Sequence, residues 1–536
     1  MVPNELIHWY WLRDIKKIGP ARIKELIDYF GSPELVFAGG YDDYARVPSI
    51  GPELAKALAS SKADLPKARV LMEKEALIAE RLQVVILPLS DPSYPTLLRK
   101  EEAVAPPLLY VRGSLDPLSS QTIAVIGTRH PSPEGTQRTG GFARSVVASG
   151  WQVISGLAIG VDAAAHQGAL DAGGYTVAVL GCGIDRIYPP ENKALFASIL
   201  DKGGAIISEY PFGTPPKGDN LRRRNRIIVA LSQAVVLAEC PADSGALIAV
   251  QEAFEQVKPV FAFSFPDGRK TAAGSQRLTA DGEAGILDPG ISAEALGQSI
   301  EAFHRTSVSL LFDLDGVLVD VTRLTRNALL YAVKAVDSRR LDKKLVDEQL
   351  HLSPRAALKN LSGGDIDLLL RAFNMYWKEK YARDVTSHPH LRPMLEKLGS
   401  LGMPMGIVTS RNSFQASSAL DALKIKELFQ SVTTWGDTMR HKPDPAPIRT
   451  TLEALRSDTA AIYVGDRAED VEAARAAGVV SVGATWFLDA AAKRELEEVH
   501  PDHIVEQPSD LFKLVLRLKR QQWTGRIKKK TDQPSL

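Results

Sequence analysis

The sequence predicts an α/β protein, and three stretches carry that prediction. Thr122 to Ile126 is β-branched and apolar and stops at Gly127, Thr128 and Arg129 before a helical pattern begins near Thr136. Trp151 to Ile154 is a second apolar run; it ends in Ser155, Gly156 and Leu157 and gives way to a helix over Ala163 to Leu170. Far downstream, Val308 opens VSLLFDLDGVLVD, an apolar strand ending in two aspartates one residue apart. In the first half, strand, glycine turn and helix in alternation favour a parallel, doubly wound sheet, in which ligands sit outside the carboxyl ends of the strands. Glycines there let a backbone approach phosphate, and helix N-termini offer unpaired N–H groups. Gly127, Arg129, Gly156 and Gly160 are expected on that rim.

At 536 residues the chain is too long for one core and predicts three or four domains. Its 45% hydrophobic and 24% charged residues are those of an ordinary globular protein. A net charge of +1 excludes a global polyelectrolyte, so any nucleic-acid surface must be a local patch. Two cysteines, Cys182 and Cys240, are too few for a disulfide framework or a cysteine-built metal cluster and point to a reducing compartment. No window reaches the roughly 18 apolar residues of a membrane span. The expected location is the cytoplasm, without a membrane partner.

Residues 1–65 hold IKKIGPARIKELIDYFGS and VPSIGPELAKALAS, each a hydrophobic residue, Gly-Pro and an amphipathic helix. The pattern resembles the helix-hairpin-helix unit, although proline removes a backbone donor that such a turn would offer to phosphate. A structural helix pair is the first reading. Residues 66–120 pass from a helical pattern into VVILPLSDPSYPTLLRKEEAVAPPLLYVRGSL, whose proline density predicts an extended lead-in.

From Asp91 to Leu287 the blocks DPSYPTLL, GTRHPS, SGLAIGVDAAAH, VAVLGCGIDRIYPPEN, ISEYPFGTPP, RRNRII and SGALIAVQEAF follow one another in the order and spacing of the DprA/Smf DNA-processing proteins, which this region resembles. The resemblance implies a Rossmann-like domain over residues 121–298 that binds single-stranded DNA, as a homodimer, and helps load a RecA-type recombinase during DNA uptake. Arg222, Arg223, Arg224, Asn225 and Arg226 place four guanidiniums in five residues, with Lys217 nearby, and their planar forks suit phosphate. Ser132 in the GTRHPS turn, and Ser244 with Gly245 at the start of the next helix, join the expected DNA or nucleotide rim; an ordinary N-cap also explains Ser244. Asp162 and His166 share one helix face, as a cap and a packing histidine or as a metal or base pair. The chain departs from the family pattern at Leu221 and Arg222, where phenylalanine and proline are usual. It departs again at Ala246 and Ala249, which replace hydroxyl residues, and at Glu134, which replaces an aromatic. These changes leave room for a smaller nucleotide ligand.

A domain border is expected near Ser307. The DxD that follows, Asp313 and Asp315, sends two carboxylates off a strand end on one side, an arrangement that calls for a cation such as Mg²⁺. Thr409 in MGIVTS, Lys442 in RHKPDP, and Asp466 and Asp470 in IYVGDRAED follow in order. Residues 307–520 thus resemble the haloacid dehalogenase (HAD) superfamily of phosphatases, a Rossmannoid α/β fold. The resemblance implies Asp313 as nucleophile and Asp315 as general acid and base, with Thr409 and Lys442 on the phosphoryl oxygens. It implies an Mg²⁺ site from Asp313, Asp466 and a backbone carbonyl of Asp315, with Asp470 as a further ligand or an orienter. Helical patterns over residues 322–392 resemble a cap closing on small phosphorylated substrates. Residues 521–536 form a basic tail with Lys528, Lys529 and Lys530.

Two functions from different classes follow. The first is a DNA-processing protein carrying an appended phosphoric monoester hydrolase. The second is a nucleotide-signal sensor that controls a phosphatase effector in phage defence.

Overall fold

The computed structural model describes all residues except 1–2, 102, 115–120, 266–267, 351, 353 and 526–536. It divides into two units, Met1–Phe303 and His304–Leu536. Lys528, Lys529 and Lys530 lie outside the described residues, while the start of the expected tail is the end of the helix Pro508–Trp523. Among the described residues no helix is long and apolar enough to cross a membrane.

The first unit opens with short helices from Asn4–Asp14 to Leu65–Leu82 around Ile7, Trp9, Trp11, Leu26, Tyr44, Leu58 and Met72. Pro20 and Pro52 each occupy the first helical position after Gly19 and Gly51, where a missing N–H costs nothing. The segment expected to be an extended lead-in is instead part of the sheet. β1 (Val84–Pro88) pairs antiparallel with β2 (Leu108–Gly113), and β2 with β6 (Ala205–Ser208). The prolines misled because they sit at strand ends and in the connection. Pro88 closes an edge strand, where a missing donor is tolerated, and Pro106 and Pro107 precede β2.

The remaining strands of this sheet are β3 (Thr122–Ile126), β4 (Gln152–Ser155), β5 (Thr176–Leu180), β7 (Ala234–Leu237), β8 (Val260–Phe263) and β9 (Gly285–Leu287). The order is β1-β2-β6-β5-β4-β3-β7-β8-β9, parallel from β6 onward. Every residue of β3 to β8 is buried, as a sheet covered on both faces requires. The order reverses at β3, so the crevice beyond β3, β4 and β7 is the place for a ligand.

The second unit holds a six-stranded parallel sheet of β10 (Ser309–Phe312), β11 (Met405–Val408), β12 (Ser431–Thr433), β13 (Ala461–Gly465), β14 (Val480–Ala484) and β15 (His503–Val505). Its order, β12-β11-β10-β13-β14-β15, reverses at β10. Between Asp320 and Thr386 the described residues make four helices, Thr322–Asp337, Lys343–Asp347, Pro354–Leu361 and Ile366–Asp384, and a fifth, Leu391–Ser400, leads on to β11. Leu329, Val333, Leu358, Leu369, Phe373 and Trp377 are buried in the cluster that joins them to the sheet. The chain enters and leaves this insertion side by side: Asp320 N donates to Thr386 O at 2.7 Å and Thr386 N to Asp320 O at 3.3 Å.

Candidate functional site

In the second unit the strand ends of β10 and β13 bring the acids together. Asp313 follows β10, and its backbone N donates to Val464 O on β13 at 2.8 Å, which fixes where its side chain starts. Asp466 follows β13, and Asp470 lies in the first turn of the helix Ala468–Ala477. Asp313, Asp466 and Asp470 are buried and each offers an oxygen within 4.8 Å of the others. Lys442 Nζ reaches into this cluster, donating to Asp313 Oδ1 at 2.8 Å, Asp470 Oδ1 at 2.7 Å and Tyr463 Oη at 3.0 Å. Asp470 Oδ2 also accepts from the backbone N of Asp466 and Arg467 at 3.2 and 3.1 Å. Both of its oxygens are thereby engaged. Thr409, 5% exposed, follows β11 and accepts at Oγ1 from Arg411 N at 3.1 Å.

Asp315 does not join the three carboxylates through its side chain. Its Oδ1 accepts from Tyr381 Oη at 2.7 Å and its Oδ2 from Arg411 Nε. The two aspartates of the DxD therefore face different tasks. Burial pushes the Asp313 carboxyl up to about 6, with Lys442 opposing and Asp470 adding to the rise. Burial also pulls the Lys442 ammonium down, but Asp313 and Asp470 together outweigh it and hold the charge. Asp466 is raised by burial and then by Asp470, and its Oδ1 is buried without a hydrogen-bond partner. A buried carboxylate oxygen with no donor, beside two more carboxylates, is the donor set of a hard divalent cation such as Mg²⁺, and these residues fit one. Gly316 makes the room. Its φ is +80°, and a Cβ there would lie 1.9 Å from Asp466 Oδ2. Beyond Asp315 and Asp466 a cavity of about 910 Å³ extends between the sheet's loops and the inserted helices.

In the first unit the arginine run splits in two. Arg222 and Arg223 are exposed, with Arg222 pairing to Asp219, and Lys217 is exposed nearby. Arg224 and Arg226 are 6% and 8% exposed and are committed to the fold, which corrects the expectation of four guanidiniums offered to phosphate. Arg226 makes a bidentate pair with Glu209 at 2.6 and 2.7 Å. Arg224 Nη1 donates to Gly156 O at 2.6 Å and to Val179 O. A Cβ on Gly156 would lie 2.2 Å from that Nη1, so this glycine makes way for an arginine where backbone approach to phosphate was expected. Asn225, half-buried, opens the helix Asn225–Ala230. Arg129 is exposed, and with Gly156, Cys182, Leu221 and Arg224 it lines a cavity of about 220 Å³ beyond β4 and β5.

The GTRHPS turn is held by a residue that sequence reading passed over. Glu239, fully buried after β7, accepts at Oε2 from Ser132 N and Ser132 Oγ at 2.9 and 2.8 Å, and its carbonyl accepts from Thr128 N at 2.8 Å, just beyond Gly127. Ser132 caps the helix Pro133–Ala148 and also receives Arg269 Nη1 at 2.8 Å. Glu134 pairs with Arg138 and Arg269, which neutralise the charge expected to oppose phosphate. Ser244 Oγ accepts from Ala246 N at 3.2 Å, and Gly245 is the exposed N-cap of the helix Ala246–Glu255. Asp162 Oδ2 grips the backbone N of Gly156 and Ala158 at 3.1 and 3.3 Å, while Gly160, not Asp162, is the N-cap of Val161–Asp171.

The family of DNA recombination-mediator protein A matches residues 85–296. Over 301 residues the chain is 35% identical to Protein Smf of Synechocystis sp., a match covering 55% of this chain and 74% of that protein. The chain belongs to the DprA/Smf family. In the X-ray structure of DNA processing protein A from Streptococcus pneumoniae, 28% identical with a TM-score of 0.45, 98% of that chain is covered by 55% of this one. What this DprA/Smf chain carries in addition matches the haloacid dehalogenase-like hydrolases at residues 310–484. There it is 28% identical over 205 residues to Pyrophosphatase PpaX of Bacillus velezensis, covering 38% of this chain and 94% of that one. The protein is a DprA/Smf domain joined to a HAD-like hydrolase domain.

Within the DprA/Smf domain, Glu209 and Glu239 were missed because each acts on a partner distant in sequence; AVVLAE marks a strand end but not what its glutamate holds. In the hydrolase domain the same is true of Tyr381, Arg411 and Tyr463.

Proposed function

We propose that the protein processes DNA through its DprA/Smf domain, binding single-stranded DNA along the rim formed by Arg129, Lys217, Arg222, Arg223, Ser244 and Gly245. Its HAD domain, we further propose, removes the phosphoryl group from a small phosphate monoester. The observation that carries the second half is the contact of Lys442 with Asp313 and Asp470 beside the unpartnered Oδ1 of Asp466. Asp313 attacks phosphorus while Asp315 gives its proton to the leaving oxygen; the aspartyl-phosphate is then hydrolysed by a water that Asp315 deprotonates. Lys442 and Thr409 hold the transferring oxygens. Mg²⁺ held by Asp313 and Asp466, with Asp470 behind them, would compensate the charge that gathers there.

The DprA/Smf membership supports the DNA half, and with it a homodimer, a RecA-type partner and a cytoplasmic location. A second reading, a nucleotide ligand in place of a strand, is supported by the cavity of about 220 Å³ beside Arg129 and Arg224. Two measurements test these readings. Asp313→Asn, or a chelator, is expected to abolish hydrolysis of an aryl phosphate; retained turnover would remove the nucleophile assignment. A labelled single-stranded oligonucleotide is expected to bind with a steep salt slope that duplex and free nucleotides do not match. Tighter binding of a free nucleotide would establish the second reading instead.

A further inference from the structure

Among the described residues, the hydrogen-bond donors to the two carboxylate oxygens of Asp315 come from the inserted helices and from the loop after β11. Tyr381, which donates to Oδ1, belongs to the inserted helix Ile366–Asp384. Arg411, which donates to Oδ2, stands two residues beyond Thr409. The Arg411 guanidinium in turn lies 5.0 Å from the ring centre of Trp377 and 5.6 Å from that of Tyr381, so the same helix holds both donors. Tyr381 is 2% exposed, and burial followed by the Asp315 charge pushes its hydroxyl well above the usual range, which keeps it a donor. Asp315 and Arg411 nonetheless line the cavity of about 910 Å³ where a leaving group would lie.

An ionised carboxylate has about four lone-pair sites. Tyr381 and Arg411 occupy one on each oxygen, which fixes the plane of the group and leaves the others free for a proton. We propose that Tyr381 and Arg411 are positioning residues for Asp315, so that seating the inserted helix on the sheet and aiming the general acid are one event. This rests on the reading of Asp315 as the acid of a phosphatase. In the step concerned, the bond between phosphorus and the leaving oxygen breaks as the Asp313–phosphorus bond forms, and the proton of Asp315 passes to the departing oxygen. Attack by water then breaks the Asp313–phosphorus bond and returns a proton to Asp315, releasing orthophosphate and the alcohol.

A poor leaving group needs that proton and a good one does not, which gives a readout that a structural role would not move. The full-length protein and its Tyr381→Phe, Arg411→Lys and Asp315→Asn variants are compared by kcat/KM on glycerol phosphate and on p-nitrophenyl phosphate. Each variant is expected to lose about tenfold more on the alkyl than on the aryl substrate. Equal losses in Tyr381→Phe and Arg411→Lys, with the differential present in Asp315→Asn, overturn this inference alone. Equal losses in Asp315→Asn overturn the acid assignment and the inference with it. Should Tyr381→Phe fail to fold, Arg411→Lys decides: the differential supports the positioning role and its absence refutes it.

Discussion

Replacing Arg226 with alanine is expected to damage the fold of the first unit before it touches DNA binding. The guanidinium is 8% exposed and both its terminal nitrogens face Glu209, at 2.6 and 2.7 Å, whose side chain is 9% exposed. Removing one partner of a buried pair leaves the other charge in a poor solvent and costs about 3–5 kcal/mol. At about 2–4 °C per kcal/mol for a domain of this scale, the melting transition of the first unit should fall by about 6–20 °C. Calorimetry of the whole chain is the assay, with the two units fitted as separate transitions because a two-unit protein does not melt in one step. Arg226→Met with Glu209→Leu should restore most of the loss, since a buried ion pair exchanged for apolar residues is close to neutral. Arg222→Glu with Arg223→Glu changes exposed side chains, so melting should stay within about 1 °C while DNA affinity and its salt slope drop. An Arg226→Ala protein that melts normally yet has lost DNA affinity would refute this division of the arginine run.

Two more outcomes follow from buried groups. Gly316→Ala forces a side chain into positive φ and against Asp466, and should cost about 1–3 kcal/mol in the second unit and abolish phosphatase activity; normal melting with normal turnover would show that the loop relaxes freely. His166 is fully buried, with Nδ1 2.7 Å from Thr176 Oγ1, whose own proton goes to Val153 O; burial, and then the Arg224 charge, lowers its pKa to about 3. The unfolded chain binds that proton near 6.5, so the contribution is complete above pH 6.5 and is lost as pH falls toward 3, by about 4–5 kcal/mol in full. His166→Gln should flatten the decline in stability between pH 6.5 and 4.5, measured by urea unfolding, and an unchanged slope would assign the decline elsewhere.

What the sequence made legible were groups that local pattern places at strand ends. DLD after an apolar run, TS after MGIV and GDRAED after IYV each put a polar side chain just past a buried strand of a parallel sheet, where the chain reversal at β10 gathers them. What stayed hidden were partners set by packing. Arg224 and Arg226 carry the same charge as Arg222 and Arg223, and only the junction of the helices Gly218–Arg223 and Asn225–Ala230 sends them inward to Glu209, Gly156 and Val179. Tyr381 and Arg411 read as helix filler and loop charge until the inserted helices fold back on Asp315. β1 and β2 were hidden by prolines that a strand accepts at its ends and edges but that look, in one dimension, like interruptions.

The paired backbone of Asp320 and Thr386 gives the inserted helices a single doorway. Opposed residues joined this way stand about 5.5 Å apart, a gap that a two-residue turn can close. Residues 321–385 thus leave and rejoin the sheet's chain at one point, although their buried side chains share its core. A chain shorn of them would keep Asp313, Thr409, Lys442, Asp466 and Asp470 on the sheet but forfeit Tyr381. On the role proposed for Asp315, it would trade reach toward bulky phosphorylated molecules against the ability to expel a reluctant alcohol.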